Sequence, residues 1–311
     1  MNRRELFRSV ASAAGGTGMF ATGLDPSWTS IAERRTQRKT SPASFIEARD
    51  GTPLFYRDWG SGNPVVFLHS WAVHSDIWQY QMVHLASKGF RCVTYDRRGH
   101  GRSGDPGRGY DFDTLADDLN TVVEQLELRK IILVGHSMGC GEIIRYLTRR
   151  GSERATRVLL VAPTLPFLLK TDDNPEGIDG RVFESLRSSW KKDFPAWLVE
   201  NTRRFFATDT SQAMVDWGVR VCLETSLQGV IECNRSNTET DFRSELKTTK
   251  VPTLVVHGDA DVFAPLALTG RRTAQLIPGS QLKVYEGAPH GLMCTNVDRL
   301  NAELLQFVSL S

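Results

Sequence analysis

Short runs of branched apolar residues recur along the chain, and segments with helical periodicity separate them. The runs that predict buried strands are Val65–Leu68, Arg91–Tyr95, Ile131–Val134, Val158–Val161, Val251–His257 and Leu282–Tyr285. Helices are predicted over 76–87, 114–126 and 296–307. Residues 45–49 and 53–59 straddle Asp50-Gly51, which predicts a hairpin. Continuous apolar strands that alternate with helices predict an α/β fold with a mostly parallel sheet covered by helices on both faces.

Residues 163–250 break this rhythm, because they are rich in Phe, Trp, Arg and Asp and contain no clear buried strand. Helices are predicted there over 183–190, 196–206 and 213–227. We interpret the segment as a helical lid inserted into a core made of 45–162 and 251–311. Ligands bind at the carboxyl edge of open α/β sheets, which is where such a lid is expected.

The first forty residues form a separate segment with a different composition. The pair Arg3-Arg4 is followed by Leu6-Phe7 and by a weakly apolar stretch rich in Gly and Ala, from Val10 to Leu24. This pattern predicts a twin-arginine signal peptide and linker over 1–40, and hence export to the periplasm or beyond. A disordered basic tail on a cytoplasmic protein is the alternative. The apolar stretch is too short and glycine-rich to predict a membrane span.

The overall composition argues against some kinds of binding partner and structural site. The chain has 311 residues, 40% of them hydrophobic, and a formal net charge of +2, which predicts no nucleic-acid partner. Its five cysteines are scattered without a C-x-x-C pair, which argues against a disulfide framework or a zinc knuckle. A small-molecule substrate is expected, and the oligomeric state is left open, a homo-oligomer included.

The motif with the most chemical content follows the strand Ile131–Val134. It reads Gly135-His-Ser137-Met-Gly139, and a helical pattern begins directly after it. In this strand–turn–helix context Gly-x-Ser-x-Gly predicts a nucleophile elbow with Ser137 as the nucleophile. Glycines are needed there because a serine on so sharp a turn has no room for neighbouring side chains. An ordinary serine capping the following helix is the alternative.

A serine hydroxyl needs a base and a group that orients the base. Asp261 follows the strand Val251–His257, and His290 follows Leu282–Tyr285. The chain order Ser137, Asp261, His290 is that of an α/β-hydrolase triad, with His290 as base and Asp261 holding the imidazole. Asp259 is the alternative candidate for the acid. It could instead stabilise its own loop by a hydrogen bond to the loop backbone. Cys294 is a weaker candidate nucleophile, and His290 could instead be a capping or core histidine.

Two backbone N–H groups are candidates for stabilising an oxyanion. The first is Met138 N–H, directly after the nucleophile. The second is Trp71 N–H, in the loop His69-Ser70-Trp71-Ala72 that follows Val65–Leu68, with the Trp71 ring lining the pocket. No H-E-x-x-H spacing is present, so no metal and no cofactor is predicted. The stretch 96–103, rich in Arg and Gly, is predicted to be a hydrogen-bonded turn rather than a phosphate loop.

The chain resembles the cofactor-free (non-heme) chloroperoxidase and aryl-esterase family of α/β-hydrolases over about Ile46 to Phe307. The resemblance is most specific in the motifs at 57–62, 95–103, 239–242, 251–261 and 287–292. It implies the α/β-hydrolase fold, the same triad of Ser137, Asp261 and His290, and Trp71 and Met138 as oxyanion-hole donors. It also favours Asp261 over Asp259.

Two departures from the family pattern affect the expected reaction. The family usually has His-Gly-Trp-Pro where this chain has His69-Ser70-Trp71-Ala72, and it commonly has glycine at the position of Cys140. Peracid formation in such enzymes looks dependent on the backbone carbonyls of that loop. Ester hydrolysis is therefore the firmer expectation.

The predicted function is that of a serine hydrolase that cleaves small carboxylic esters or lactones through an acyl-enzyme. The alternatives are a cofactor-free haloperoxidase or perhydrolase, which makes peracids from a carboxylic acid and hydrogen peroxide, and a lactam or amide hydrolase. Other functional classes also occur on this kind of fold, because fold alone does not fix the reaction. The hypotheses from those classes are a ligand-binding receptor, an inactive scaffold, a lyase and a cofactor-free oxygenase.

Overall fold

The computed structural model describes residues 44–310, so the signal peptide and linker predicted over 1–40 lie outside the described residues. The strands are β1 Phe45–Glu47, β2 Pro53–Trp59, β3 Pro64–Leu68, β4 Arg91–Tyr95, β5 Ile131–His136, β6 Ala155–Val161, β7 Thr253–Gly258 and β8 Gln281–Tyr285. The helices are α1 Gln79–Ser87, α2 Phe112–Gln125, α3 Met138–Arg150, α4 Gly180–Asn201, α5 Gln212–Leu223, α6 Leu227–Glu239, α7 Arg243–Thr248, α8 Gly270–Leu276, α9 Leu292–Thr295 and α10 Val297–Val308. Short 3₁₀ turns precede α1 and follow α4.

The eight strands form one sheet in the order β1-β2-β4-β3-β5-β6-β7-β8. The pairs β1–β2 and β2–β4 are antiparallel, and the remaining pairs are parallel. The predicted hairpin is present, with Ile46 opposite Leu54 and Gly51 at a φ of +84°. The mostly parallel α/β sheet expected from the apolar runs is therefore confirmed.

Alternate residues of each central strand enter opposite cores, which explains why the strands are apolar throughout. Leu133 and Leu160 belong to a core that α2 and α3 cover. Val134 and Leu159 belong to a second core on the other face, which α1 and α10 cover. A sheet buried on both faces leaves its strand ends as the place for polar chemistry.

The buried side of α1 differs from the expectation. The pattern over 76–87 predicts Ile77, Tyr80, Val83 and Leu85 on the buried side. Tyr80 and Val83 are instead 44% and 61% exposed, whereas Trp78 and Met82 are buried. The reason is that the helix contacts α10 along the face of Met82 and Leu85, so packing selected one of two apolar stripes.

The segment between β6 and β7 is mostly helical, as the sequence predicts, but the helices differ in number and bounds. One helix, α4, covers the helix predicted over 183–190 and the first part of the one predicted over 196–206, which ends in a 3₁₀ turn. Helix α4 is kinked at Asp193, where φ is −161° and a proline follows at 195. Asp193 Oδ1 accepts a hydrogen bond from Ala196 N (2.9 Å), which caps the second half. Helices α6 and α7 were not predicted from the sequence pattern.

None of the helices within residues 44–310 is long and apolar enough to cross a membrane.

Candidate active site

Ser137 lies on a strained turn between β5 and α3. Its backbone has φ +54° and ψ −115°, a conformation that is costly for a residue with a Cβ. The turn is tight, because a Cβ at Gly139 would stand 2.8 Å from the carbonyl oxygen of Leu68. A hydrogen bond from Ser137 N to Val161 O (2.9 Å) anchors the turn to the next strand. The local geometry is that of a nucleophile elbow.

Asp261 is buried in the loop after β7 and accepts hydrogen bonds from three N–H groups, with a fourth nitrogen nearby. Its Oδ1 accepts hydrogen bonds from the main-chain N–H groups of Phe263 (2.9 Å) and Ala264 (2.8 Å). Its Oδ2 accepts one from His290 Nδ1 (2.6 Å), and His257 Nε2 lies 3.2 Å away. Burial by itself would raise the pKa of Asp261, but the two histidines outweigh it and hold the pKa below its ordinary value. Asp261 is therefore an anionic acceptor for His290.

His290 is held at both its ring and its backbone. Its Nδ1 is engaged by Asp261, and its carbonyl oxygen accepts a hydrogen bond from His136 Nε2 (3.1 Å), on the residue before Ser137. The His136 and His290 rings pack with centroids 4.6 Å apart. Ser137 and His290 line the same cavity, although no hydrogen bond joins their side chains within residues 44–310. Nε2 is thus the ring nitrogen of His290 that Asp261 does not engage.

The structure separates the rival candidates from this arrangement. Asp259 is exposed and accepts a hydrogen bond from Gly287 N (2.7 Å), so it stabilises the loop backbone instead of contacting His290. Cys294 is buried, and burial raises the pKa of its thiol to about 12, which disfavours a thiolate. No group of three or more His, Cys, Asp or Glu side chains within the described part of the chain is arranged to hold a metal ion.

The loop after β3 carries the other predicted donor. Neither Trp71 N–H nor Met138 N–H donates to a protein acceptor within residues 44–310. The Trp71 indole donates to Val230 O (2.7 Å), which fixes its ring against α6, and the ring lines the cavity as predicted. Ala72 has a φ of +57°, a value that a proline ring cannot adopt. Ser70, in contrast, is not among the residues with positive φ, so its Cβ causes no backbone strain.

The cavity above Ser137 has a volume of about 190 Å³. Pockets for drug-sized ligands usually measure about 300–1,000 Å³, so this one suits a small molecule. Aromatic and aliphatic side chains provide most of its wall, including Trp190, Trp197, Phe205 and Phe206. These aromatic residues come from the segment between β6 and β7, together with the 3₁₀ turn that follows α4.

Sequence reasoning missed the polar part of the wall. Asn234, Asn237 and Thr238 of α6 line the cavity, and Asn237 Oδ1 accepts a hydrogen bond from Thr164 Oγ1 (2.7 Å). A signal was present in the sequence, because Ser226 caps α6 by accepting a hydrogen bond from Gly229 N (3.0 Å). A serine of this kind marks the start of a new helix.

The turn over 96–103 is the hydrogen-bonded structure that the sequence predicts. Asp96 is fully buried, and its carboxylate accepts hydrogen bonds from Ser75 N (3.0 Å) and Arg102 N (2.9 Å). Gly101 is required at its position, because a Cβ there would stand 2.5 Å from Asp96 Oδ2. The turn is structural, and its side chains reach the neighbouring loops.

Comparison with known proteins agrees with this geometry. The family described as alpha/beta hydrolase fold matches residues 63–297. A non-heme chloroperoxidase from Kitasatospora aureofaciens is 40% identical over 268 residues, which cover 84% of this chain and 98% of that protein. A bifunctional esterase/perhydrolase from Acinetobacter calcoaceticus is 34% identical over 276 residues, covering 85% of this chain and 99% of that protein.

Among solved structures, an esterase from Exiguobacterium antarcticum superposes with a TM-score of 0.83 at 31% identity, covering 86% of this chain and all of that one. The similarity extends over almost the whole length of each relative, so it includes the sheet, the elbow and the helical segment. The chain is therefore an enzyme of the α/β-hydrolase family, and it belongs with the non-heme chloroperoxidases and their esterase relatives.

Proposed function

We propose that the protein is a serine esterase that cleaves small carboxylic esters or lactones through an acyl-enzyme. The observation that carries the proposal is the 2.6 Å hydrogen bond between Asp261 Oδ2 and His290 Nδ1, next to a cavity that Ser137 also lines. Ser137 is the nucleophile, His290 the base and Asp261 the group that orients it. The N–H groups of Trp71 and Met138 form the oxyanion hole.

Each group has one task in the reaction. His290 Nε2 takes the proton of Ser137 Oγ as the oxygen attacks the ester carbon, and it then returns that proton to the leaving alcohol. Asp261 keeps the proton of the neutral imidazole on Nδ1 and stabilises the imidazolium. The two N–H groups donate to the oxyanion of the tetrahedral intermediate. Water attacks the acyl-enzyme by the same route in reverse.

The cavity supports a small substrate that is mainly apolar. Its aromatic wall favours an aliphatic or aromatic acyl or alcohol group. Asn234 and Asn237 add amide groups to one side, which suits a substrate with a hydrogen-bond acceptor away from the scissile carbonyl, such as a lactone ring substituent. We also propose that residues 163–250 act as a lid, because α4 and α6 supply much of this wall.

The test is hydrolysis of p-nitrophenyl acetate together with labelling by a fluorophosphonate probe. Ser137→Ala should abolish both turnover and the mass shift of the intact protein. Ser70→Ala removes the hydroxyl of another serine on the cavity wall and should keep the mass shift. Undiminished turnover in Ser137→Ala would rule out the proposed nucleophile.

Perhydrolysis is a second candidate, favoured by the esterase/perhydrolase and chloroperoxidase names of the relatives. Ser137 would form the acyl-enzyme from a carboxylic acid with loss of water, and hydrogen peroxide would then take the acyl group to give a peracid. The peracid oxidises halide to hypohalous acid and returns to the carboxylic acid. Bromination in acetate buffer should exceed bromination in a buffer without carboxylate, and equal rates would exclude this route. Lactam or amide cleavage would use the same acyl-enzyme.

A further inference from the structure

Arg97 extends from the carboxyl end of β4 to a position beneath the loop that carries Trp71, and it is 1% exposed. Its Nη2 donates to the carbonyl oxygen of His69 (2.8 Å), and its Nη1 donates to that of Ser70 (3.1 Å). The main-chain N–H of Arg97 also donates to His69 Nε2 (2.9 Å), and His69 Nδ1 donates to the Ser70 oxygen (2.8 Å). Arg97 thus fixes two consecutive carbonyls of the loop.

These carbonyls determine where the Trp71 N–H points. The Ser70 carbonyl and the Trp71 N–H belong to one peptide unit, which is planar and trans, so they point in opposite directions. Because the Ser70 oxygen is held towards Arg97, the Trp71 N–H is held away from it and meets no acceptor among residues 44–310. If this peptide turned over, it would lose both hydrogen bonds and present an oxygen where the oxyanion hole needs a donor.

The other side of the guanidinium contacts the helix of the nucleophile. Arg97 Nε donates to Glu142 Oε1 (2.8 Å), and Nη2 contacts the same oxygen. Glu142 is 1% exposed and lies in α3, whose first residue is Met138. Tyr95 OH donates to its other oxygen (3.2 Å). One buried side chain therefore joins the two elements that carry the two N–H groups.

We propose that Arg97, anchored by Glu142, is the positioning residue of the oxyanion hole. It holds the loop of Trp71 at a fixed orientation relative to Met138 at the start of α3. The inference rests on the proposed function, since an oxyanion hole matters only if Ser137 performs acyl transfer. Donors that are fixed in advance need no reorganisation when charge develops, so the effect of Arg97 falls on the transition state.

A contribution to stability does not explain the buried pair of Arg97 and Glu142 well, because apolar residues of similar size often replace a buried ion pair without loss of stability. The same turn offers a comparison. Arg98 Nε donates to Asp118 Oδ2 (2.7 Å), and both side chains are buried. This second pair reaches Asp50 and does not contact the loop of Trp71. It is therefore a matched control for removing a buried ion pair.

The experiment compares the double variant R97M/E142M with the control R98M/D118L. We measure kcat and KM for p-nitrophenyl acetate, and the affinity for an alkylboronic acid, which forms a tetrahedral adduct with a nucleophilic serine. Loss of one oxyanion donor typically lowers kcat by about 10²–10³-fold. We expect a fall of about that size in R97M/E142M, a matching loss of boronate affinity, and a KM that changes by less than about threefold. The control should keep kcat within about threefold.

Arg97→Lys provides a second variant should the double variant not fold. The lysine keeps a positive charge opposite Glu142, but a single ammonium lacks the planar fork that reaches Glu142 and both carbonyls. Its kcat should fall by about tenfold or more at a temperature well below its thermal midpoint, where the variant is folded, and KM should stay within about threefold. Wild-type kcat in either Arg97 variant, or an equal loss in the Arg98 control, would overturn the inference. Failure of the proposed function is seen separately, as activity that persists in Ser137→Ala.

Discussion

Replacing Asp261 by Asn tests the acid of the proposed triad, because the surrounding donors dictate how the new amide must sit. Oδ1 accepts from two main-chain N–H groups, those of Phe263 and Ala264, which cannot change their protonation. The amide oxygen of Asn should therefore take the Oδ1 place. Its NH₂ group then faces His290 Nδ1, which lies 2.6 Å from Oδ2 in the wild type.

Two donors cannot share that contact, so the His290 ring is driven to carry its proton on Nε2. An imidazole protonated on Nε2 cannot accept the proton of Ser137. We expect kcat for p-nitrophenyl acetate to fall by about 10³–10⁴-fold, which corresponds to about 4–5.5 kcal/mol in the activation barrier. KM should change little, because Asp261 does not line the cavity.

Asp259→Asn is the matched control, since it makes the same chemical change two residues away. Asp259 is exposed and, within the described part of the chain, its carboxylate accepts a hydrogen bond from Gly287 N alone, a bond that the amide oxygen of Asn can keep. Its kcat/KM should stay within about threefold of the wild type. The reasoning is refuted if Asp261→Asn loses less than about tenfold, or if Asp259→Asn loses as much.

Three further predictions concern stability. Gly258→Ala would place a Cβ 2.0 Å from the Ala288 carbonyl oxygen, so urea unfolding should show a free energy of unfolding lower by about 2–3 kcal/mol or more. Gly180→Ala is the control, because the atom nearest to its new Cβ is 3.3 Å away, and it should be nearly neutral. Equal urea midpoints for the two variants would contradict this prediction. Ala72→Gly relieves a positive φ worth about 1–2 kcal/mol, but it costs about 0.5–1 kcal/mol in entropy and about 0.8 kcal/mol for the buried methyl group. The free energy of unfolding should therefore stay within about 1 kcal/mol of the wild type, and a loss above about 2 kcal/mol would refute the strain. Burial lowers the pKa of His100 to about 3, so below about pH 6.5 the unfolded chain takes up a proton that the folded one does not. Stability should therefore fall with decreasing pH by up to about 1.4 kcal/mol per unit from this residue, and His100→Asn should show a shallower slope in urea midpoints from pH 4 to 8; an unchanged slope would speak against it.

The sequence was sufficient for the sheet and for the elbow because both depend on short-range patterns. Branched apolar runs predict buried strands, and Gly135 to Gly139 after such a run predicts the turn at Ser137. The predictions were wrong where two patterns competed. Tyr80 and Val83 looked like part of a buried stripe, yet α1 packs through Met82 and Leu85 instead.

Helix α6 was missed because its sequence is mostly polar and its apolar residues are few. It supplies Asn234, Asn237 and Thr238 to the cavity, and it accepts the indole N–H of Trp71 at Val230. The second of these contacts joins positions 71 and 230, which are 159 residues apart along the chain. No local pattern encodes which loop a helix will cover.

Local patterns along the chain were enough to place a serine on a tight turn after one strand, and an aspartate and a histidine after two others. The contact of His290 with Asp261 instead of Asp259, and the hold of Arg97 on the loop of Trp71, follow from the folded arrangement. The physical reason is the range of the interactions. Periodicity and turn propensity act between near neighbours, whereas a hydrogen-bond partner is selected by the packing of distant segments that bury the polar groups together.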